Sequence, residues 1–229
     1  TTEQGGFVPR EEIEKAKATM DENTYKTEFL ADFVSTGSRA AYNFDRKIHV
    51  KQAEELTANL FWGMDFNVMH MTSVLGCSYS DGSIHYFDEI RQSNSNTEQL
   101  AIAMKKIAPG INIYPDATGS ARSTTSNKSD HQILIDHGFN VIAKKVNPPI
   151  IDRINALNRM LVDANGKVRM TVDPKCTYLI KDLEQVQRSR DGKIEKLKDI
   201  TLSHAFDACS YYIALTNPLV KRSVMSSQW

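Results

Sequence analysis

Alternation of hydrophobic and polar positions predicts a β-strand that begins near residue 60 and ends at Asp65. Trp62, Met64 and Phe66 share one face of an extended chain, and the opposite face ends in the Asp65 carboxylate. On this motif alone, a carboxylate at a strand end more often bonds its own turn. The alternative is that the rigid strand holds it as a metal ligand. The choice between the two depends on the rest of the chain.

The same alternation predicts two further strands, at residues 72–79 and 83–90. An Asp-Gly pair between them favours a tight hairpin turn, so the first three strands are predicted to form an antiparallel meander. A fourth strand, residues 111–116, ends in a second acid, Asp116.

Helical spacing and end signals predict helices around this sheet. A helix also separates the fourth strand from a fifth, residues 140–146, and such a crossover places the two strands parallel to each other. The pattern predicts an α/β fold, with a mixed sheet of three antiparallel strands followed by parallel strands, flanked by helices. The predicted helices follow the Ser95/Glu98 capping box, the Ser129/Gln132 capping box, Pro148-Pro149, Pro174 and residue 201, and a strand at 168–173 and a charged hairpin at 184–199 complete the series.

The amino-terminal part of the chain is predicted to lie outside this domain. Tyr25, Phe29 and Phe33 recur at helical spacing, so a helical segment is predicted over residues 9–33. Ser, Thr and Gly then break the pattern before the first strand of the sheet. We therefore assign residues 1–55 to a tail or linker and residues 56–229 to one domain.

Composition limits the possible functions. The 28 basic and 28 acidic residues cancel, so the overall positive charge typical of an autonomous nucleic-acid binder is missing, and any contact with a polyanion must use local patches or metals. The 3 cysteines are widely spaced and indicate neither a disulfide framework nor a zinc site. No signal peptide or membrane-spanning run is visible, which favours a reducing cytoplasm. The first residue is Thr rather than Met, which suggests a piece of a longer protein, and processing of the amino terminus would give the same result.

Three acids occupy comparable positions and are candidates for a metal site. Asp65 and Asp116 end strands that are expected to be neighbours, and Asp207 lies on the last helix, three residues after His204. Clustered carboxylates repel each other unless cations neutralise them, and Mg²⁺ or Mn²⁺ prefers oxygen ligands. His204 is a candidate ligand, water-orienting group or proton acceptor. Alternatively, Asp116 belongs to a solvated Ser-rich loop and His204 is an interior histidine bonded to a carbonyl. Asp88-Glu89 is a competing acidic pair at the far end of its strand.

Basic residues are concentrated after the proposed site. Each one alone is expected to face solvent, but their concentration favours a surface that follows a phosphate backbone. The DNA-binding candidates are Lys144, Lys145, Arg153, Arg188, Arg190 and Lys193, with Arg159 as a further basic residue of the same stretch.

Three motifs in order resemble those of a known family. WGMDF, YPDATG and LSHAFDACSYY are similar to the motifs of the nuclease domain of the large terminase subunit of tailed bacteriophages, which has a ribonuclease-H-like fold. The last motif is the most specific, because the family pattern of His, Asp, Ala and an aromatic residue is met by His204, Asp207, Ala208 and Tyr211. The resemblance covers roughly residues 60 to 216. Residues 1–55 resemble the segment that joins the ATPase motor of that family to its nuclease.

The resemblance implies a metal-dependent endonuclease that cuts concatemeric double-stranded viral DNA during packaging. Asp65, Asp116 and Asp207 are then the ligands of two Mg²⁺ or Mn²⁺ ions roughly 4 Å apart, and His204 assists catalysis at the edge of the site. The implied partners are double-stranded DNA, the ATPase domain of the same polypeptide, the small terminase subunit and the portal, without a membrane. The implied location is the bacterial host cytoplasm, at the assembling procapsid.

The sequence departs from the family pattern in two places. No GxxxxGK[ST] phosphate-binding loop occurs in these residues, so no ATPase activity is expected. The Gly-rich loop that often follows the first Asp in the family is replaced by the residues Asn-Val-Met-His at positions 67–70. Two other functions stay open: another ribonuclease-H-like nuclease, of the junction resolvase or integrase type, and a non-catalytic docking module of a packaging machine.

Overall fold

A mixed sheet forms the centre of the computed structural model, which describes residues 8–20, 25–26, 29–30, 39–121, 128–189, 193–195 and 199–219. Six strands belong to this sheet within those ranges, and their order across it is β5-β4-β1-β2-β3-β6. The strands are β1 (Leu60–Asp65), β2 (His70–Ser78), β3 (Ile84–Ser93), β4 (Asn112–Pro115), β5 (Asn140–Val141) and β6 (Met170–Val172).

The strand directions agree with the predicted mixed sheet. The β1, β2 and β3 strands pair antiparallel, whereas β4 runs parallel to β1, β5 parallel to β4, and β6 parallel to β3. In the turn between β2 and β3, Gly82 has a φ of 80°, which glycine adopts without strain. The predicted fold class is therefore confirmed. The predicted fifth strand is shorter than expected, because β5 ends at Val141.

Helices cover both faces of the sheet. One helix start differs from its prediction: the cap of α3 is Asn96, whose side chain accepts the Gln99 N–H at 2.9 Å, and Ser95 instead donates to the Gln92 side chain. The Ser129 cap is present as predicted and accepts the Gln132 N–H. The helices are α1 (Arg10–Thr19), α2 (Arg46–His49), α3 (Thr97–Ile107), α4 (Asp130–Asp136), α5 (Ile150–Leu161), α6 (Thr177–Gln185) and α7 (His204–Thr216), and a 3₁₀ turn spans Ala117–Ser120.

The sheet separates two hydrophobic clusters. Trp62 and Met64 pack with α3 on one face, whereas Phe61 packs with α5, α6 and α7 on the other. This division agrees with the alternation in the sequence. Burial on both faces explains why β1 contains almost no polar residue before Asp65.

Helix α7 lies unusually close to β1 because of Gly63. A Cβ atom at this position would lie 2.2 Å from the carbonyl oxygen of Ala208 and 3.3 Å from Val74. Glycine therefore permits the helix backbone to contact the strand directly. This contact brings the first turns of α7 alongside the end of β1, where Asp65 stands.

Packing against the core begins before the predicted domain boundary. Ala40, Ala41 and Phe44 belong to the cluster under α5 and α7. The division at residue 55 stays a prediction. Of the predicted helical segment 9–33, α1 is present, and much of the remainder lies outside the described residues.

The predicted charged hairpin is described only in part. Helix α6 continues to Gln185, and an antiparallel bridge then joins Arg188 to Ile194. The predicted turn at Asp191-Gly192 and the DNA-binding candidate Arg190 lie outside the described residues. None of the helices described is long and apolar enough to cross a lipid bilayer.

Candidate functional site

Asp65 and His204 form a buried pair at the end of β1. The His204 Nδ1 atom lies 3.0 Å from Asp65 Oδ2, and its Nε2 atom lies 3.1 Å from the carbonyl oxygen of Ile200. Both partners are hydrogen-bond acceptors, so the imidazole satisfies both only when it carries two protons, or when Asp65 carries one. A proton carried by the pair would therefore let both contacts form as hydrogen bonds.

The pKa values of this pair shift in the same sense. Burial raises the pKa of the Asp65 carboxyl, and the hydrogen bond from His204 opposes this shift. For His204, burial lowers the pKa, but the hydrogen bond and the charge of Asp65 outweigh it and raise the pKa overall. The hydrogen bond between the two groups therefore links the pKa of His204 to that of Asp65.

Asp207 lies one turn further along α7 and is paired with a buried arginine. Arg153 Nη1 donates to Asp207 Oδ1 and to the Ser210 hydroxyl, both at 2.7 Å. The guanidinium also lies over the Tyr211 ring, 4.6 Å from its centroid. Burial raises the pKa of Asp207 to about 6; the Asp65 carboxylate adds to this shift, and Arg153 opposes it. The charge of Asp207 is therefore balanced by Arg153, and the pKa of Asp207 is raised further by the carboxylate of Asp65.

Asp116 lies at the end of β4, next to β1, as the predicted parallel pairing requires. Its backbone N–H donates to the Met64 carbonyl at 3.1 Å. Its carboxylate accepts hydrogen bonds from the Thr118 N–H and the Asn147 amide, both at 2.7 Å, and from the Tyr211 hydroxyl at 3.0 Å. The hydrogen bond from the Thr118 N–H is the turn interaction predicted from the sequence as one interpretation of a carboxylate at a strand end. Burial alone would raise the pKa of Asp116, but these donors lower it.

A cleft of about 340 Å³, here called the acid cleft, opens beside these residues. Its lining includes Asp65, Asn67, Ile200, His204 and Asp207. Asp65 Oδ1 and Asp207 Oδ2 make no hydrogen bond with the described residues. Asp116 does not line this cleft; it lies at the end of the neighbouring strand β4 and is bonded by Tyr211, which belongs to the same helix as His204 and Asp207. Among the residues described, no group of three or more His, Cys, Asp or Glu side chains is arranged to hold a metal ion.

Comparison with known proteins identifies the family. The model of the terminase RNaseH-like domain matches residues 62–215, more than half of the 229-residue chain. The chain belongs to this family. The resemblance to the nuclease domain of large terminases is therefore confirmed. No curated protein matches the sequence significantly.

Solved structures agree on the fold of this terminase domain. The nuclease domain of the large terminase of bacteriophage P22 superimposes with a TM-score of 0.62 and 17% identity, covering 81% of this chain and 96% of that one. The large terminase of a thermophilic bacteriophage gives a TM-score of 0.67 and 15% identity, covering 94% of this chain and 53% of that one. The terminase domain thus spans about half the length of the thermophilic phage protein.

The predicted basic residues of the terminase domain divide into two groups. Lys144, Lys145 and Lys193 are exposed, as expected of residues that face a polyanion. Arg153 and Arg159 were expected at the surface, and this is wrong, because both are buried. Arg153 neutralises Asp207, and Arg159 donates to the carbonyl groups of residues 19, 217 and 218. Arg188 is half-buried, with its guanidinium 5.1 Å from the centroid of the Tyr42 ring.

Several residues that build the site have no distinctive local signal. Arg153 and Asn147 bond the acids from other elements, and their sequence neighbours do not indicate this. Glu89 was half of a competing acidic pair, but it lies inside β3 and accepts the Tyr178 and Leu179 N–H groups at the start of α6. An acid that caps a helix and an acid that binds a metal have the same local sequence.

The buried carboxyl group of Asp182 is expected to make the stability of the fold depend on pH. Its buried Oδ2 accepts the Ala205 and Phe206 N–H groups at the start of α7. Burial raises its pKa to about 6, with these hydrogen bonds opposing the shift. The folded state therefore binds more protons than the unfolded state between about pH 4 and pH 6. As the pH rises through that window, we expect the free energy of unfolding to fall by on the order of 2–3 kcal/mol because of this group.

Urea unfolding of the metal-free protein at pH 4, 5, 6 and 7 measures this effect. Asp182→Asn keeps an oxygen that can accept both N–H groups but has no charge to bury. We expect this variant to have a flatter pH profile than the wild type. An identical profile in the two proteins would show that Asp182 does not control it.

Proposed function

We propose that the terminase domain is a metal-dependent endonuclease that cuts concatemeric double-stranded DNA during genome packaging. The observation that carries this proposal is the acid cleft of a terminase RNaseH-like domain, in which the buried Asp65 and the partly buried Asp207 each keep one oxygen without a hydrogen bond to the described residues. Two neighbouring carboxylates with raised pKa values favour a ligand that brings positive charge.

The donor chemistry suits a hard divalent cation. Asp65, Asp116 and Asp207 offer carboxylate oxygens, which are the ligands that Mg²⁺ and Mn²⁺ prefer. We propose these three residues as the ligands of two such ions. When bound, the ions would activate a water molecule and stabilise the oxygen that leaves the phosphodiester.

The residues around the acids have roles of their own in this proposal. Arg153 fixes Asp207 through Oδ1 and leaves Oδ2 available to the substrate side. Asn147 and Tyr211 orient Asp116 by donating to its two oxygens. His204 contacts Asp65 at 3.0 Å, so His204 is placed to take up or release a proton during hydrolysis.

The remaining proposals concern the whole protein to which the domain would belong. We propose an ATPase domain in the same polypeptide, the small terminase subunit and the portal as partners, and the bacterial cytoplasm at the procapsid as the location. The terminase domain alone should not hydrolyse ATP, because its sequence has no phosphate-binding loop. Two findings support these proposals: the family match, and the fact that this chain covers only 53% of the large terminase of the thermophilic bacteriophage.

Metal-dependent cleavage of plasmid DNA tests the proposed function. With Mn²⁺, the purified domain should convert supercoiled plasmid to nicked and linear products, and excess EDTA should stop the reaction. Activity that survives in EDTA would contradict a metal mechanism. Linear and branched duplexes should be cut at similar rates, whereas a strong preference for branched DNA would indicate a junction resolvase. If calorimetry detects no Mn²⁺ binding, the domain is a docking module rather than an enzyme.

A further inference from the structure

The four most exposed large hydrophobic side chains of the described residues lie in loops at the edge of the sheet where the parallel strands β1, β4 and β5 end, and one of them, Ile200, lines the acid cleft. They are Val146, Val68, Ile200 and Met69, with exposed fractions of 75%, 67%, 60% and 54%. We call these four residues the apolar rim. Single exposed hydrophobic residues are common on protein surfaces, but a concentration at one edge of the sheet indicates a contact surface.

Val68 and Met69 form the tip of the loop between β1 and β2. The side chain of Asn67, which lines the acid cleft, accepts the Met69 N–H at 3.0 Å. The carbonyl groups of Val68 and Met69 accept the N–H groups of Ser95 and Asn94, at 3.2 and 3.3 Å. The backbone of the tip is therefore held by hydrogen bonds while its two side chains face solvent.

Ile200 and Val146 lie in two other loops, each of which contacts a residue of the same site. Ile200 lines the acid cleft, and its carbonyl oxygen contacts His204 Nε2 at 3.1 Å. Val146 precedes Asn147, whose amide bonds Asp116 and whose Oδ1 atom accepts the Ala117 N–H. The four residues of the apolar rim therefore lie in three loops, and each loop contains or contacts a residue of the site.

Duplex DNA is the molecule that these features fit best. A duplex that places a phosphodiester at Asp65 and Asp207 would lie close to these loops, and the exposed Lys144 and Lys145 directly precede Val146. Lysines complement phosphates, whereas valine, isoleucine and methionine complement deoxyribose and the apolar edges of bases in a groove. We propose that the apolar rim contacts the sugars and base edges that flank the cut, so that part of the affinity for DNA does not depend on salt. This inference rests on the proposed function.

The double variant Val68→Ser/Met69→Ser tests this surface. Fluorescence anisotropy of a labelled duplex, measured in EDTA at several salt concentrations, gives both the affinity and its salt dependence. We expect about tenfold weaker binding, with an unchanged slope of log K against log salt, because no phosphate contact is lost. Lys144→Gln/Lys145→Gln should instead reduce that slope by about one to two.

Ile102→Ser/Ile135→Ser is the matched control. These residues lie on α3 and α4, and they are exposed but not part of the apolar rim. The control should bind DNA like the wild type. If Val68→Ser/Met69→Ser also binds like the wild type, the apolar rim does not contact DNA, and a protein partner becomes the better occupant.

The two proposals fail in different ways. If the wild type binds DNA through the apolar rim but does not cut it with Mn²⁺, the proposed function fails and the contact surface stands. If the wild type cuts DNA and the rim variant keeps both its affinity and its rate, the inference fails and the function stands.

Discussion

Replacing Asp116 with Asn is expected to lower the rate of Mn²⁺-dependent DNA cleavage by about a thousandfold, because a metal ligand provides several kcal/mol of transition-state stabilisation. The substitution keeps the shape of the side chain. Its oxygen can still accept the Thr118 N–H and the Asn147 amide, and its amide can donate to the Tyr211 hydroxyl. The fold should therefore survive, with a loss of stability of about 1 kcal/mol.

The rate of plasmid nicking under single-turnover conditions measures this prediction. Asp136→Asn is the control, because Asp136 is an exposed acid on α4 that pairs with Lys128 away from the acid cleft. The control should cut DNA at the wild-type rate. Asp116→Asn activity within about tenfold of the wild type would remove Asp116 from the proposed ligands, since the loss of a ligand costs more than that.

Replacing Arg153 with Met is expected to reduce the free energy of unfolding by about 3 kcal/mol in EDTA, because it leaves the partly buried Asp207 without its cation. Methionine fills much of the volume of the arginine stem, so the loss is mainly electrostatic. The Ser210 hydroxyl loses the same donor. If a metal ion binds Asp207, it supplies the missing charge, and saturating Mn²⁺ should stabilise Arg153→Met more than the wild type.

Urea unfolding with EDTA and with Mn²⁺ separates this charge effect from ordinary packing. Arg159→Met is the matched control, because Arg159 is also buried on α5 but donates only to carbonyl groups. It should be destabilised equally in both conditions. An equal loss for Arg153→Met with and without metal would argue against metal binding at Asp207.

Both predictions concern how buried charge is balanced at one site. Asp116 is stabilised by three donors, and its pKa is lowered, whereas Asp65 and Asp207 have raised pKa values and depend on His204 and Arg153. A metal would add to this balance from the side of the acid cleft. The charge of Asp116 is therefore stabilised mainly by hydrogen bonds, whereas the charges of Asp65 and Asp207 are stabilised mainly by His204 and Arg153.

Local sequence signals are sufficient to predict the first three strands of the sheet and their antiparallel pairing. Two-residue alternation defines the β1 strand, an Asp-Gly pair marks the hairpin between β2 and β3, and Ser129 caps α4 as expected. These features depend on interactions between residues that are near in the sequence or on one face of one element. The cap of α3 is Asn96 rather than the predicted Ser95, because either side chain can accept the N–H of a first helical turn. Such signals therefore predict that a helix begins but not the residue at which it begins.

The roles of individual charges are harder to predict, because acids of the same local pattern do different things. Asp182 and Glu89 accept backbone N–H groups at helix starts, whereas Asp65 and Asp207 line a cleft. Burial and distant partners create this difference. Local sequence contains neither.

The sequence by itself determined the order of strands and helices, the two faces of β1, and the placement of Asp65 and Asp116 at the ends of neighbouring strands. Only the tertiary structure decided that Arg153 is buried and bound to Asp207, 54 residues away along the chain, rather than exposed to DNA. The reason is physical. Periodicity records which face of an element is apolar, but the partner of a buried charge is set by how helices pack, here by the close contact of α7 with Gly63.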